Sequence, residues 1–286
     1  MGNQIEFKNF DQEFFEEEYE HILLLVSQSI EWLVEGDSEG LHRLFKFGMQ
    51  QITLKIVNGE TDRTELSRCF KLAMQGIYGH IKSLDNNGEL TKLWVADQEV
   101  QLTNTGAGYD SVFELASAYT YASICRCSDV IDLIFNLPES SKFLNYGEHD
   151  NHPVYKLYQL FKSEPDIDKE LFNDYIENSR GKYGGDPELK NYVSLIDEPR
   201  QKLLEQYYFG DSSSFNKQLK EALEKDKQYR DTTEGNRFRD VDGWLPWGLI
   251  SFACRAHDKG WEITVEDSRL PMYLVKGECK VESLAP

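Results

Sequence analysis

The sequence contains no long apolar run, no export signal and no excess of positive charge. The longest apolar stretch, residues 22–26, is far shorter than the roughly 18 residues that a membrane-spanning helix needs. The first 20 residues carry seven acids, whereas a secretory signal begins basic and then becomes apolar. Over the whole chain, 31 lysines and arginines face 50 aspartates and glutamates, so the net charge is −19. Phosphate backbones need a basic surface, and we therefore expect a cytoplasmic protein that binds neither membrane nor nucleic acid.

Cysteines are few, and their spacing is not that of a disulfide framework. There are five, an odd number, which is typical of reduced thiols in a cytoplasm. The one close pair, Cys125 and Cys127, follows an apolar run that predicts a helix. Residues two apart point to different faces of a helix, so these thiols are poorly placed to bind a metal together. We predict that both are ordinary helix residues.

The remaining composition is that of a folded protein. Apolar residues make up 40% of the 286 residues and aromatic residues 13%, which is too rich for a disordered acidic chain. A chain of this length forms one large domain or two modest ones. We predict a single all-helical domain over 1–286. The alternative is a subdivision into N-terminal helices plus a β-hairpin (1–104) and a helical-hairpin array (105–286).

Most of the chain shows the three- and four-residue apolar spacing of helices. Asp62 is predicted to begin a helix, with Glu65 as its capping-box partner, and a final helix is predicted over 246–258. Residues 93–102 alternate with period two around a turn and predict a β-hairpin, and residues 261–266 predict a strand or extended segment. The predicted fold class is mainly α, with one short inserted β-hairpin and a short C-terminal extended segment.

One short pattern occurs twice and bears on the architecture. Gly36-Asp37-Ser38 and Gly210-Asp211-Ser212 each end an aromatic-rich helix and precede an amphipathic one. Glycine at a helix end and Asp or Ser capping the next helix favour a tight helical hairpin. We therefore predict packed helical hairpins with tetratricopeptide-like stacking, although the full repeat period is absent. Pro199 is expected to kink or split the helix that precedes the second copy.

The sequence also contains one candidate metal site, which would make the protein an enzyme. His149, Asp150 and His152 place two imidazoles and a carboxylate in one polar segment, and His-x-x-His can chelate a metal. Together with His80 and Asp197 they suggest a metal-dependent hydrolase of the all-helical His-Asp type. Because the chain has six histidines and 50 acids, such patterns arise by chance, and we predict no catalytic residue, no metal and no cofactor.

The C-terminal third carries an ordered series of blocks: Asp240–Gly243, Leu249–Gly260, Ile263–Ser268 and Leu270-Pro271. Upstream stand the predicted hairpin, a linker containing Thr105-Gly106, and the helix that runs to Cys125-Arg126. In this order the blocks resemble the immunity protein 49 family of bacterial polymorphic-toxin systems, over roughly residues 50–276. The resemblance implies a helical protein, not an enzyme, that binds and neutralises a cognate toxin domain encoded nearby.

The acidic charge suggests that such a toxin is basic, for example a nuclease, because a surface that binds phosphates attracts carboxylates. Contacts are predicted on the first helix (11–34), whose apolar face we expect to include Leu23, and in the loop before the last predicted helix. The predicted contact residues are Phe14, Glu16, Glu17, Glu20, Asp231, Glu234, Asp240 and Trp244. A helical scaffold that holds a peptide in a groove between hairpins is the third hypothesis.

Overall fold

The structure, a computed structural model, describes residues 12–86, 88–103, 112–138, 140–141, 143–144, 153–164, 167–179, 187–231, 237 and 239–285. The helices are α1 (Gln12–Val34), α2 (Glu39–Val57), α3 (Arg63–Asp85), α4 (Val112–Cys125), α5 (Ser128–Phe135), α6 (Pro153–Lys162), α7 (Lys169–Ser179), α8 (Pro187–Tyr192), α9 (Glu198–Phe209), α10 (Ser212–Arg230), α11 (Trp247–Asp258) and α12 (Met272–Val275). Two strands, β1 (Thr91–Val95) and β2 (Gln98–Leu102), form an antiparallel hairpin. The prediction of a mainly α fold with one small inserted hairpin is confirmed.

The described residues divide into two compact units. The first takes its residues from 12–144 and 277–285, and the second from 153–276. The chain therefore leaves the first unit once and returns to it after the second. The prediction of a single domain, with its alternative division at residue 104, stays a prediction.

The first unit is built on α2, which packs against both α1 and α3. Glycines let these helices approach closely, because a Cβ atom at Gly76 would lie 2.8 Å from both the Leu41 carbonyl oxygen and the Phe45 nitrogen. Fully buried side chains fill the space around this crossing, among them those of Leu44 and Ile77. The close crossing needs a residue without a side chain on α3.

The predicted hairpin is confirmed, and its turn is a tight one. Val95 pairs with Gln98, so only Ala96 and Asp97 form the turn, with φ angles of 49° and 61°. These left-handed angles match the twist of a two-residue hairpin loop. The Gln75 side-chain oxygen on α3 accepts the Ala96 N–H at 3.2 Å and ties the turn to the helix.

The start of α3 confirms one prediction and corrects another. The Asp62 carboxylate accepts the N–H groups of Thr64 and Glu65, as an N-cap should. Glu65 was wrongly predicted to close a capping box, since its carboxylate binds Arg68 at 2.9 Å and Lys55 at 3.0 Å. The Asp62 N–H is bound by the Glu60 carboxylate instead, at 2.7 Å. A basic residue on the neighbouring helix thus competes successfully for Glu65.

Residues 277–285 return to the first unit as a hydrogen-bonded segment. The Val281 N–H donates to the Cys125 carbonyl at 2.8 Å, and the Leu284 N–H donates to the Asp129 carboxylate at 2.9 Å. Gln75 donates its side-chain N–H to the Leu284 carbonyl at 3.0 Å. The prediction that Cys127 belongs to the same helix as Cys125 is wrong, because α4 ends at Cys125 and Cys127 is the N-cap of α5.

The second unit contains a helical hairpin at the repeated Gly-Asp-Ser motif. Asp211 caps α10 by accepting the Ser214 N–H at 2.8 Å, while the Ser214 hydroxyl accepts the Asp211 N–H at 3.0 Å. A π-helical turn at Val193–Asp197 separates α8 from α9. Pro199 stands directly after it, in the first turn of α9, in agreement with the expectation that the helix is split near Pro199. The earlier copy of the motif is capped differently, since Asp37 accepts the Glu39 N–H at 2.9 Å.

After α11 the second unit contains an extended segment that is held by side chains of α10, mainly that of Asn216. The Asn216 amide donates to the Glu262 carbonyl at 2.8 Å and accepts the Thr264 N–H at 2.7 Å, so it takes the place of a neighbouring strand. Residues 261–266 are therefore extended without belonging to a sheet. The helix over 246–258 is not the final one, because the short α12 follows it.

Candidate functional site

Helix α1 presents an acidic surface at its N-terminal end. Glu13, Glu16, Glu17 and Glu20 are exposed, while Phe15 and other apolar residues three and four positions apart face the core. In the part of the chain that the structure describes, no basic side chain pairs with any of the four carboxylates. Glu13 lies in the first turn, where the partial positive charge at the helix N-terminus favours an acid. The field of the four carboxylates is thus available to a partner.

The same helix exposes large apolar side chains. Leu23, Leu24 and Val34 are 37%, 54% and 58% exposed, which is unusual for side chains of this size in the described residues. Leu23 was wrongly predicted to face the core. The apolar run 22–26 spans more than a full turn at 3.6 residues per turn, so its members cannot all point inward. We call the exposed residues of α1 the outer face of α1, and they are Gln12, Glu13, Glu16, Glu17, Glu20, His21, Leu23, Leu24, Ser27, Glu31 and Val34.

Exposed leucines flanked by acidic residues have the arrangement of an interface, in which an apolar core is surrounded by a polar rim. Binding energy in interfaces concentrates in buried apolar anchors, while charged residues at the rim act mainly on association rate and specificity. Phe14, the aromatic residue that the sequence placed among the contacts, is half-buried at the start of this face. The structure therefore brings Phe14, Glu16, Glu17 and Glu20 together on one exposed helix.

The second predicted contact region is the loop before α11, and its described residues stabilise the fold. Asp240 binds Arg230 at 2.8 Å, and Trp244 is only 3% exposed. Gly243 lies so close to Arg230 that a Cβ atom there would stand 2.0 Å from the guanidinium. Asp231 is half-buried as the C-cap of α10. Glu234 lies outside the described residues.

Buried polar pairs in the second unit hold the fold. Arg255 binds the Glu164 carboxylate, which also accepts the Tyr208 hydroxyl, and its guanidinium stacks 4.8 Å from the centre of the Phe161 ring. Beside this pair, exposed Lys259 lies 4.3 Å from the centre of the Trp261 ring, and partial desolvation lowers the pKa of its ammonium. Sequence reasoning missed the pairing of Arg255 with Glu164 because the two residues lie far apart in the chain.

The described residues that could bind a metal or act as nucleophiles are dispersed or buried. Within the described residues no group of three His, Cys, Asp or Glu side chains could hold a metal ion. His80 lies near Glu114, 3.9 Å from its carboxylate, and His42 binds that carboxylate at 2.9 Å. His149, Asp150 and His152 lie outside the described residues. Burial raises the pKa of Cys69, Cys127 and Cys279 to about 11, so these thiols stay protonated at neutral pH.

No described helix is both long enough and apolar enough to cross a membrane. Comparison with protein families gives one finding, a match of residues 80–274 to the family described as Immunity protein 49. The match covers more than half of the chain and begins near the end of α3, so it leaves out α1 and α2. No curated protein and no solved structure matches the chain.

Proposed function

The chain belongs to the immunity protein 49 family, and on this premise we propose that it protects a bacterial cell by binding one cognate toxin domain and blocking its activity. Inhibition is stoichiometric and non-enzymatic, and it takes place in the cytoplasm. The family match is the observation that carries this proposal. The outer face of α1 supports it, because its exposed leucines are flanked by carboxylates, as the apolar core of an interface is by its polar rim.

The proposed toxin is basic. The net charge of −19 creates a long-range field that attracts a positively charged partner, and the unpaired carboxylates on α1 concentrate this field at one end of the helix. Nucleases carry basic surfaces for phosphate backbones, so a nuclease toxin fits this charge. An acidic inhibitor can cover the surface that such a toxin needs for its substrate.

The proposed contact surface is the outer face of α1. It lies outside the residues matched to the family, so its role rests on the exposure and charge of this chain's own residues. The segment 231–244 stays a predicted second contact. There, exposed Asp240 is available at the surface, whereas Trp244 already packs in the interior.

The direct test is growth of a sensitive bacterium that expresses the toxin domain encoded beside this gene. We expect growth to be restored when this protein is co-expressed, and the two chains to elute together in gel filtration. An unrelated acidic protein of similar size and charge serves as the control for non-specific neutralisation. If growth is not restored and no complex forms, the proposed function is overturned. If restoration needs no complex, stoichiometric inhibition is wrong.

A further inference from the structure

One arginine on the α1–α2 surface is stacked on aromatic rings and has no acidic partner among the residues that the structure describes. The Arg43 guanidinium carbon lies 4.1 Å from the centre of the Trp32 ring and 5.4 Å from that of Phe47. All three side chains are half-buried. Stacking on an indole orients a guanidinium and leaves the N–H groups along its edge free to bind.

The missing partner is unusual in so acidic a chain. Most other arginines whose contacts are described pair with a carboxylate, as Arg63 does with Glu278 and Arg269 with Asp226. Among the described residues, by contrast, no carboxylate pairs with Arg43, although Glu31, Glu35 and Glu39 stand nearby in sequence. The Arg43 Nε atom is buried and has no hydrogen-bond acceptor. A donor that has lost water and found no acceptor costs free energy, so the described residues do not compensate the burial of this Nε atom.

We propose that Trp32 and Arg43 form an anchor that receives a carboxylate of the toxin. The inference rests on the proposed function and adds a second charge to its docking surface. A carboxylate matches the planar N–H edge of a guanidinium with two parallel hydrogen bonds. Tryptophan and arginine are also the residues most often found at the energetic centres of interfaces.

The anchor and the α1 acids together define a pattern that the toxin must complement. Glu17 and Trp32 are 15 residues apart on one helix, which corresponds to about 22 Å along the helix axis and about 60° around it. Leu24 lies midway between them. The toxin surface must therefore present basic groups at one end and an acidic group about 22 Å away. Opposite charges at the two ends prevent the partner from binding in the reverse direction.

The experiment measures binding of the toxin domain encoded beside this gene to three variants. Arg43→Gln removes the charge at similar length, and Arg43→Lys keeps the charge but loses the planar edge and the stacking. Lys46→Gln is the matched control, because it removes one positive charge from an exposed position on the next turn of α2. We expect Kd to rise at least about tenfold in both Arg43 variants, mainly through faster dissociation, and to change less than about twofold in the control.

A second measurement, made with variants of the toxin, distinguishes loss of the Arg43 contact from misfolding of the Arg43 variants. Each surface Asp and Glu of the toxin is changed to Ala and tested against unmodified protein and against Arg43→Gln. One such change should weaken binding to the unmodified protein as much as Arg43→Gln does, and should weaken binding to Arg43→Gln no further. Equal affinities of Arg43→Gln and Lys46→Gln, or no toxin carboxylate coupled to Arg43, would overturn the anchor. Failure of the unmodified protein to bind would overturn the proposed function and the anchor with it.

Discussion

Asp226 and Arg269 form an ion pair in the interior of the second unit, with side chains only 3% and 4% exposed. The Asp226 carboxylate accepts a guanidinium N–H at 3.0 Å, and Arg269 also donates to the Leu223 carbonyl at 2.6 Å. The pair joins α10 to the segment after the extended residues 261–266. Both charges depend on each other, because each would be costly to bury alone.

Removing one partner of this pair should destabilise the protein strongly. We expect Asp226→Ala to lower the free energy of unfolding by about 3 kcal/mol, since the buried guanidinium then keeps only the longer contact with the Asp267 carboxylate, at 3.4 Å. The double variant Asp226→Leu with Arg269→Met should lose much less than the sum of the single losses. Urea unfolding of the single variants Asp226→Leu and Arg269→Met and of the double variant measures this difference. Additive losses would mean that the two side chains do not depend on each other.

Reversing charge on α1 should slow association with the toxin. We expect the triple variant Glu16→Lys, Glu17→Lys, Glu20→Lys to lower the association rate about tenfold and to weaken its salt dependence. The control makes the same charge change at exposed glutamates in the second unit, namely Glu205, Glu224 and Glu266. Stopped-flow kinetics at several salt concentrations compare the two. Equal slowing in both would assign the effect to net charge and reject α1 as the docking surface.

The exposed leucine at the middle of α1 should contribute to the lifetime of the complex. Leu24 is 54% exposed, so Leu24→Ser should leave the thermal midpoint of the free protein nearly unchanged. Loss of apolar burial in the complex should raise Kd several-fold through faster dissociation. Leu90→Ser is the control, because Leu90 is 60% exposed and lies outside α1. An unchanged dissociation rate for Leu24→Ser would place Leu24 outside the interface.

Glu65 should make stability depend on acid pH. Hydrogen bonds from Arg68 and Lys55 lower the pKa of the Glu65 carboxyl to about 2, from a model-compound value of 4.5. Because the folded pKa lies below the unfolded one, this stabilisation is complete above about pH 4.5 and is lost as the pH falls towards 2. Glu65 is partly exposed, so the effect is at most about 2 kcal/mol.

We therefore expect Glu65→Gln to be less stable than the unmodified protein at pH 7, with a difference that shrinks steadily below pH 4.5. Urea unfolding at pH 7, 4.5 and 3 measures this difference. Glu89→Gln is the control, since Glu89 is exposed and its carboxylate has no described partner. A difference that stays constant with pH would show that the Glu65 charge is not the source of the stabilisation.

The close crossing of α2 and α3 should tolerate no side chain at Gly76. A Cβ atom there would meet two backbone atoms of α2 at 2.8 Å, which cannot move independently of the helix. We expect Gly76→Ala to cost about 2–3 kcal/mol. Gly248→Ala, whose Cβ would meet nothing closer than 3.8 Å, should be neutral or stabilising by up to about 1 kcal/mol. Thermal unfolding of the two variants compares them, and equal midpoints would contradict the crossing geometry.

The features that local patterns determine were predictable from the sequence. Helices, the hairpin and the Asp62 cap depend on residues within one or two turns, and exposure of Glu16, Glu17 and Glu20 follows from helical spacing. Features that depend on distant partners were not predictable. Glu65 binds Lys55 on another helix, residues 277–285 return to the first unit, and Arg43 stacks on Trp32 across a helix pair. Nothing near these residues in the sequence signals such partners.

The return of residues 277–285 makes the first unit a discontinuous domain. During synthesis α1 leaves the ribosome early, but Val281 and Leu284 follow only after the entire second unit has been translated. The hydrogen bonds to Cys125, Asp129 and Gln75 cannot form before then. A nascent chain interrupted before residue 277 would therefore expose α1 on an unfinished scaffold. Assembly of the first unit is thus coupled to synthesis of residues 277–285, because a chain that stops before them lacks these hydrogen bonds.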